Sequence, residues 1–239
     1  MKHRERSYRN RVSNDTLKSF HVSVRETDLF VLADSDLTQH TFNLIFKYRS
    51  IIEYYIKFRN EFLTSLKPMP KDENAPPIVK DMLSASRSAG VGPMAAVAGA
   101  IAEYVGKDLL EFSRNVIIEN GGDIFLNSEN DVKVAVYAGD SPLSYNVNIL
   151  GRKEKMPMGI CTSSGTIGHS LSFGRADAVC VVSQSAIVAD ASATAIGNLV
   201  KRKSDIAFAL KKGLNIEGVR GVLIIMGEKL GAAGEIELL

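Results

Sequence analysis

The segment Asn120-Gly121-Gly122-Asp123 constrains the fold of this chain most strongly, because it separates two short apolar runs at 115–119 and 124–126. Short apolar runs that end in turn residues are typical of β-strands. Asn-Gly between two strands is a strong hairpin signal, since both central residues of the turn tolerate positive φ. The sequence therefore predicts an antiparallel hairpin at this point.

The other periodic segments predict helices interspersed with further strands. Apolar residues recur at three- and four-residue intervals across 37–58, which indicates a helix. More helices are expected at 78–87, 94–112, 191–201 and 204–212, and strands at 19–24, 29–33, 132–137, 145–150, 178–183 and 218–226. Helices mixed with mostly hairpin-linked strands predict an α+β fold rather than a doubly wound parallel sheet.

Composition and charge restrict the classes of partner. The net charge of +2 gives no argument for nucleic acid, and no apolar run is long enough to cross a bilayer. The two cysteines, Cys161 and Cys180, are not in a Cys-x-x-Cys arrangement, which fits a reducing cytoplasm. We therefore expect a cytoplasmic protein that binds neither nucleic acid nor membranes. Its many small and apolar residues would permit a homodimer.

The chain is expected to contain a short arm and one domain. Residues 1–18 are predicted to form a basic N-terminal arm, since five basic residues outnumber one acidic residue in the first eleven positions. The arm is either a solvated terminus or a contact for an anionic partner. No linker or internal repeat divides the rest of the sequence, so residues 19–239 are expected to form a single domain.

Asp190 and Thr194 are the candidate metal ligands. They are four residues apart, so on a helix that begins near Asp190 both side chains lie on one face of the first turn. A carboxylate and a hydroxyl supply the hard oxygen atoms that suit Mg²⁺ or Ca²⁺, with backbone carbonyls, waters and ligand phosphates completing the shell. The alternative interpretation is that Asp190 is only the N-cap of that helix.

A hydroxyl-rich segment is the candidate anion site. Side-chain hydroxyls and the amides of a flexible loop can surround a phosphate group. The candidate residues are Thr162, Ser163, Ser164, Gly165 and Thr166. A polar turn without a ligand is the alternative, and the chain has no Gly-x-x-x-x-Gly-Lys-[Ser/Thr] phosphate loop.

Two further positions are candidates for the same site. His169 follows the hydroxyl-rich segment directly, and histidine suits the role of a general base, with a structural hydrogen bond as the alternative. Gly121 and Gly122 leave room where a ligand could lie, and Asp123 could accept hydrogen bonds from it. For these last three residues the alternative is a hairpin turn without a ligand.

Taken in order, these segments closely resemble the archaeal and bacterial UPF0280 family (uncharacterised protein family 0280). The matching segments are ETDL (26–29), AGVGPMAAVAGAIAE (89–103), ENGGDI (119–124), CTSSGTIGHSLSFGRADA (161–178) and ADASATAIGN (189–198). That family is in turn similar to the ApbE family of FAD:protein FMN transferases. The resemblance covers nearly the whole chain and implies an ApbE-like, T-fold-related structure, with layers of mostly antiparallel sheet and packed helices.

The resemblance to the transferases extends to individual residues. Their Gly-Gly-Asp matches 121–123, and their Thr-Ser-Gly is similar to 163–165. Their Ala-Asp-Ala-x-Ala-Thr helix start, whose Asp and Thr bind Mg²⁺, matches Asp190 and Thr194, and a carbonyl that completes their metal site corresponds to 94–97. The resemblance thus implies that the chain binds FAD or FMN with Mg²⁺ and transfers FMN to a hydroxyl of an acceptor protein.

The chain also departs from the transferases. Ala98-Gly99 stands where they have Lys-Gly, and only His169 remains of their His-x-x-Asp-Pro segment. Two alternatives to the transfer reaction therefore stay open. One is a flavin- or nucleotide-binding module without catalysis. The other is an enzyme on the same scaffold that acts on a different phosphorylated or heterocyclic small molecule.

Overall fold

The computed structural model describes residues 17–166 and 173–239, and its central feature is a large antiparallel sheet. The strands are β1 (Lys18–Val24), β2 (Thr27–Ala33), β3 (Val116–Asn120), β4 (Asp123–Asn127), β5 (Val132–Ala135), β6 (Asn148–Gly151), β7 (Met158–Ser163), β8 (Ala178–Ser183), β9 (Val219–Met226) and β10 (Lys229–Gly234). The main sheet has eight strands in the order β1-β2-β3-β4-β7-β8-β9-β10, while β5 pairs with β6 in a separate small sheet. All these pairings are antiparallel.

The helices cover one face of the main sheet. They are α1 (Thr38–Phe58), α2 (Glu61–Thr64), α3 (Pro77–Ala89), α4 (Val97–Leu109), α5 (Ala186–Leu199) and α6 (Ile206–Gly213). Because side chains alternate between the two faces of a strand, Leu29 and Val31 of β2 point into the core beneath the helices. Alanine and other small residues on α4 and α5 let these two helices pack closely over the sheet.

The opposite face of the main sheet carries a second, smaller core. Phe30 and Leu32, which alternate with Leu29 and Val31 along β2, pack there against side chains of β5 and β6. Near the C-terminus, Leu238 forms a β-bridge with Ile149 of β6, so the end of the chain adds to this layer. Helices, main sheet and small sheet make three layers, which confirms the predicted α+β class.

Several element boundaries differ from those predicted. The helix expected at 94–112 is a 3-10 turn, Pro93–Ala96, followed by α4, and the helix expected to begin at 191 already begins at Ala186. Strands β7 and β10 were not predicted, because β7 ends in hydroxyl residues and β10 is rich in glycine and alanine, which have low strand propensity. Most of the expected basic arm, residues 1–16, lies outside the described residues, and Lys18 already belongs to β1.

None of the helices described in 17–166 and 173–239 is by itself long and apolar enough to span a membrane. Helix α3 and the segment Pro93–Leu109 meet the length and composition requirements only as a pair, and the pair is bent by 104°.

Candidate functional site

The Gly121-Gly122 turn places Asp123 at one end of the main sheet. Asn120 of β3 pairs with Asp123 of β4, so the two glycines form the whole turn, with φ values of 69° and 105°. Side chains are strained at such φ values, which accounts for both glycines. On its other side, Asp123 pairs with Cys161 of β7. The predicted hairpin is therefore confirmed, and it carries a carboxylate where β3, β4 and β7 run side by side.

Asp123 is a buried carboxylate on the helix-covered face of the sheet, and only 8% of the residue is exposed. Burial raises the pKa of this carboxyl well above its ordinary value, and the negative charge of Asp190 raises it further. Hydrogen bonds from the Cys161 thiol and the Thr162 amide oppose the rise without cancelling it. Ionised Asp123 therefore has a free-energy cost that a nearby cation would remove.

Asp190 lies in α5 and faces the beginning of α4. The N-cap of α5 is Ser185, whose hydroxyl accepts a hydrogen bond from the amide of Val188, so the interpretation of Asp190 as the N-cap is wrong. Asp190 belongs to the second turn and is buried, and its Oδ2 accepts a hydrogen bond from the Gly99 amide at 2.9 Å. Burial raises the pKa of Asp190 to about 7, although the amides of Gly99 and Ala98 oppose the shift.

Helices α4 and α5 cross at a glycine. A Cβ atom on Gly99 would lie 2.3 Å from the carbonyl oxygen of Ala186, so only glycine fits at this crossing. One turn further along α4, the buried carboxylate of Glu103 accepts a hydrogen bond from Ser185 Oγ at 2.8 Å and another from an amide in the first turn of α5 at 3.2 Å. These contacts fix α5 along α4 and thereby fix the position of Asp190.

The chemistry of this cluster suits a hard divalent cation. Asp123 and Asp190 are both buried, and no lysine or arginine is among the largest causes of either pKa shift. Thr194 is half-buried one turn after Asp190, on the same face of α5, where its hydroxyl could join the shell. Residues 17–166 and 173–239 contain no group of three His, Cys, Asp or Glu side chains arranged to hold a metal. Backbone, water or ligand oxygens would therefore have to complete the shell.

The hydroxyl-rich segment begins inside a strand and not, as expected, in a loop. Thr162 and Ser163 are the last two residues of β7. The Thr162 hydroxyl donates to Cys180 Sγ at 3.2 Å, and Cys180 belongs to the core on the face away from the helices. Side chains of adjacent strand residues point to opposite faces, so Ser163 is directed to the helix-covered face and Thr162 is not.

Residues 164–166 form the turn that follows β7. The Gly165 amide donates to the carbonyl of Ala176 at 2.9 Å, and the Thr166 amide donates to Ser164 Oγ at 3.1 Å. The Thr166 hydroxyl donates to Asp177 Oδ1 at 3.3 Å, which ties the turn to the residues before β8. Both amides and the Thr166 hydroxyl thus donate within the protein.

Two residues of the site, Asn120 and Glu103, were not predicted as functional from the sequence, and one predicted residue lies outside the described part of the chain. Asn120 Nδ2 donates to the carbonyl of Ala98 at 3.0 Å, which joins the β3–β4 turn to the beginning of α4. Glu103 connects α4 to α5, and its signal in the sequence is that it is the one charged residue in 94–105. His169 lies at 167–172, outside the described residues, so its role stays a prediction.

Comparisons with known sequences identify close relatives. The family model described as "AbpE bacteria" matches residues 9–236. The UPF0280 protein of Methanococcus aeolicus is 45% identical over 221 residues, which cover 90% of this chain and 89% of that protein. The UPF0280 protein of Methanocaldococcus jannaschii is 41% identical over 221 residues, covering 90% of each chain.

Two solved structures share the fold at low sequence identity. The flavinyl transferase ApbE of Pseudomonas stutzeri, in its apo form, matches with a TM-score of 0.55 and 12% identity, over 91% of this chain and 94% of that one. The ApbE protein of Thermotoga maritima matches with a TM-score of 0.57 and 12% identity, over 91% and 97% of the two chains. The predicted ApbE-like arrangement of antiparallel sheet and packed helices is therefore confirmed.

Proposed function

Since the chain belongs to the ApbE-like UPF0280 family, we propose that it binds FAD or a related flavin nucleotide with Mg²⁺ and transfers FMN to a hydroxyl group of an acceptor protein. One observation in this chain carries the proposal: Asp123 and Asp190 are two buried carboxylates whose pKa values are both raised. A bound cation would offset the cost of ionising both. The flavinyl transferase activity named for the Pseudomonas stutzeri protein supplies the reaction type.

Asp190 and Thr194 would hold Mg²⁺, and Asp123 would lie beside them as a second carboxylate. The Gly99 amide donates to Asp190 Oδ2 at 2.9 Å and so fixes the carboxylate whose oxygens would bind the metal. When bound, Mg²⁺ would neutralise negative charge on the pyrophosphate of FAD and on the departing AMP. Mg²⁺ usually keeps several waters and binds through one or two carboxylates plus phosphate oxygens, which fits so small a set of protein ligands.

The β3–β4 turn and the hydroxyl groups would bind the nucleotide. A Cβ added at Gly121 would meet no described atom within 4 Å, so a ligand could approach the backbone of the turn closely. The hydroxyls of Ser163 and Ser164 would donate to phosphate oxygens, because the amides of residues 165 and 166 and the Thr166 hydroxyl donate within the protein.

His169 would act as the general base in the transfer. The oxygen of the acceptor hydroxyl would form a bond to the phosphorus of the FMN moiety, and the phosphoanhydride bond to AMP would break. The hydroxyl proton would pass to His169 as the new bond forms. FMN would then be attached to the acceptor through a phosphoester bond, and AMP would be the second product.

The proposal is tested by titrating the purified protein with FAD, with and without Mg²⁺, and by following AMP with mass spectrometry. Asp190→Asn keeps the size of the side chain and removes its charge. Asp131→Asn is the matched control, because Asp131 is exposed and pairs with Arg152 away from the cluster. We expect Mg²⁺-dependent FAD binding and AMP release in the wild type and the control, and neither in Asp190→Asn. Full Mg²⁺-dependent turnover in Asp190→Asn would exclude the metal assignment.

A binding module without catalysis is the second candidate, and the residue at position 98 favours it. Alanine stands there instead of the lysine of the transferases, and its carbonyl accepts a hydrogen bond from Asn120. The chain thus lacks a cation that the transferases have beside their metal site. FAD that is bound with Mg²⁺ but stays intact in the presence of candidate acceptors would favour this function, whereas no flavin binding would indicate a different small substrate.

A further inference from the structure

Asn120 is the last residue of β3, and the chemistry of the turn does not explain its side chain. The two turn positions with positive φ are Gly121 and Gly122. Asn120 lies before them, in a strand position opposite Asp123, and asparagine is depleted in strands. Its Nδ2 donates out of the hairpin, to the carbonyl of Ala98 at 3.0 Å. This contact, and not the turn, gives a reason for an asparagine here.

The Asn120 contact connects the two buried carboxylates of the candidate metal site. Asn120 is paired with Asp123 across the hairpin, and its amide holds the carbonyl of Ala98. The next residue of α4, Gly99, donates its amide to Asp190 Oδ2 at 2.9 Å, and a Cβ atom on Gly99 would lie 2.8 Å from the Cβ of Asp190. One strand pair and two hydrogen bonds thus connect Asp123 to Asp190. Such short contacts limit how far the two carboxylates can move relative to each other.

A second connection between the carboxylates runs through Cys161, and it is weaker. Cys161 pairs with Asp123 across β4 and β7, and its Sγ donates to the carbonyl of Ala186 at 3.3 Å. Ala186 lies about one turn before Asp190 in α5. A thiol is a weak donor, whereas Asn120 donates an N–H···O bond of ordinary length. The connection through Asn120 therefore holds the separation of the two carboxylates more firmly.

The rigidity of such a pair of carboxylates influences which divalent cation they suit. Mg²⁺ demands near-ideal octahedral geometry with oxygens at about 2.0–2.1 Å, whereas Ca²⁺ accepts flexible arrangements with oxygens at about 2.3–2.6 Å. Selectivity between the two cations therefore depends on the size and flexibility of the site. Carboxylates that are fixed relative to each other favour Mg²⁺, and a site in which their separation can change loses Mg²⁺ before it loses Ca²⁺.

We propose that Asn120 is a positioning residue that determines specificity: by fixing Asp123 relative to Asp190, it gives the site its preference for Mg²⁺ over Ca²⁺. The proposal rests on the proposed function, because it requires a cation at these two carboxylates. Asn120 acts through Ala98 and Gly99 and does not have to touch the metal, since its Nδ2 is bound to the Ala98 carbonyl.

The test compares two cations in the same variant. Isothermal titration calorimetry of the purified, nucleotide-free protein with MgCl2 and with CaCl2 gives the affinity for each cation. In Asn120→Ala the affinity for Mg²⁺ should fall by about tenfold or more, as is typical when a residue that orients a metal ligand is removed. The affinity for Ca²⁺ should fall several-fold less. A general loss of structure would lower both affinities alike, so the ratio of the two affinities reports the positioning role.

Asn127→Ala is the matched control. Asn127 lies at the open end of the same hairpin, and its Nδ2 donates to the carbonyl of Arg114 at 2.9 Å, so this variant removes the same kind of bond away from the carboxylates. It should keep the wild-type ratio of affinities. Asn120→Ser has a side chain too short to reach the Ala98 carbonyl. It should repeat the change in ratio, and it replaces Asn120→Ala in the test if that variant folds poorly.

The outcomes separate this proposal from the proposed function. A wild type that binds neither cation would overturn the metal assignment itself. A wild type that prefers Mg²⁺, with the same ratio in Asn120→Ala and Asn120→Ser, would overturn the role of Asn120 and leave the metal assignment standing. A wild type that binds Ca²⁺ at least as tightly as Mg²⁺ would also overturn it, because there would be no preference for Asn120 to determine.

Discussion

Two carboxylates in this protein, Asp34 and Asp190, each join two segments of the chain, but their surroundings are opposite. Asp34 follows β2 and accepts hydrogen bonds from the Arg114 amide at 2.8 Å, the Asn115 side chain at 2.8 Å and the Ser113 hydroxyl at 3.1 Å. Burial would raise the pKa of Asp34, but these hydrogen bonds outweigh burial, and the pKa is lowered. The charged form is thus the stable form at this joint.

At the Asp190 joint the balance is reversed. Burial raises the pKa of Asp190 to about 7, because the amides of Gly99 and Ala98 compensate only in part. The nearby Asp123 carboxyl has its pKa raised by burial and by the charge of Asp190. Asp34 therefore holds two segments together whether or not a ligand is bound. Asp190, in contrast, should be stabilised in its ionised form by a bound cation. A structural carboxylate thus differs from a candidate metal ligand in the number of hydrogen-bond donors around it.

The largest effect is expected at Glu103. This carboxylate is buried, as Asp190 is, but it accepts several hydrogen bonds, as Asp34 does. It accepts hydrogen bonds from Ser185 Oγ and a backbone amide of α5, and Lys107 pairs with it at 2.6 Å. Glu103→Ala should reduce the free energy of unfolding by about 3 kcal/mol, since it leaves these buried donors without a partner. Urea unfolding measures this loss.

The matched control is Lys107→Ala, whose side chain is about half exposed. Loss of such a pair should cost less than about 1 kcal/mol, because water replaces the ammonium. If Glu103→Ala were no more destabilising than this control, Glu103 would not be the residue that fixes α5 against α4.

Asp190→Asn should have the next largest effect on stability. This variant should stabilise the metal-free protein, whereas Glu103→Ala should destabilise it. Removing a buried charge should raise the thermal midpoint of the metal-free protein above that of the wild type. Mg²⁺ at a hundredfold excess over its Kd should stabilise the wild type by about 2.7 kcal/mol and should not stabilise the variant. Thermal denaturation with and without Mg²⁺ measures both effects. A metal-free variant less stable than the wild type would mean that the Asp190 charge is already compensated.

The sequence predicted those parts of this site that depend on neighbouring residues. The Gly121-Gly122 turn was correct because positive φ is a local requirement that glycine meets. The beginning of α5 was missed by five residues, because its true N-cap, Ser185, is followed by apolar residues, while Asp190 has the side chain of a cap.

The contacts between segments that are distant in the chain could not be predicted from the sequence. Asp123 and Asp190 lie in different elements, and their proximity depends on the pairing of β4 with β7 and on the packing of α5 over both. The small residues in 94–105 permit close packing, but nothing in the sequence indicates that Gly99 meets Ala186. The periodicity of apolar residues shows which face of a helix or strand is buried, but it does not show which element packs against that face.

The pH dependence of stability should reveal the raised pKa of Asp190. Its pKa is raised from 3.8 to about 7, so between these values the native state binds a proton that the unfolded chain has lost. The free energy of unfolding should therefore fall as pH rises through this range, by at most about 1.4 kcal/mol per pH unit for one proton. Asp123, with its raised pKa, acts in the same direction.

Urea unfolding of the metal-free protein at a series of pH values measures this slope. Saturating Mg²⁺ should flatten the slope, because the metal binds the ionised carboxylates, and Asp190→Asn should reduce it. A wild-type stability that rises with pH between 4 and 7 would contradict the raised pKa, since that is the sign expected for carboxyls whose pKa is lowered.

The smallest effect on the free energy of unfolding is expected for a substitution of Asp34. Asp34→Ala removes four side-chain acceptor contacts, but the residue is exposed and water can replace much of what is lost. We expect a loss of about 1 kcal/mol in the free energy of unfolding, with no change in the response to Mg²⁺. The stability that Asp34 contributes should also disappear in acid, as pH falls below 3.8 through its lowered native pKa. If Asp34→Ala weakened the response to Mg²⁺ as much as Asp190→Asn does, donor number would not distinguish the two carboxylates, and the cation site would have to be sought elsewhere.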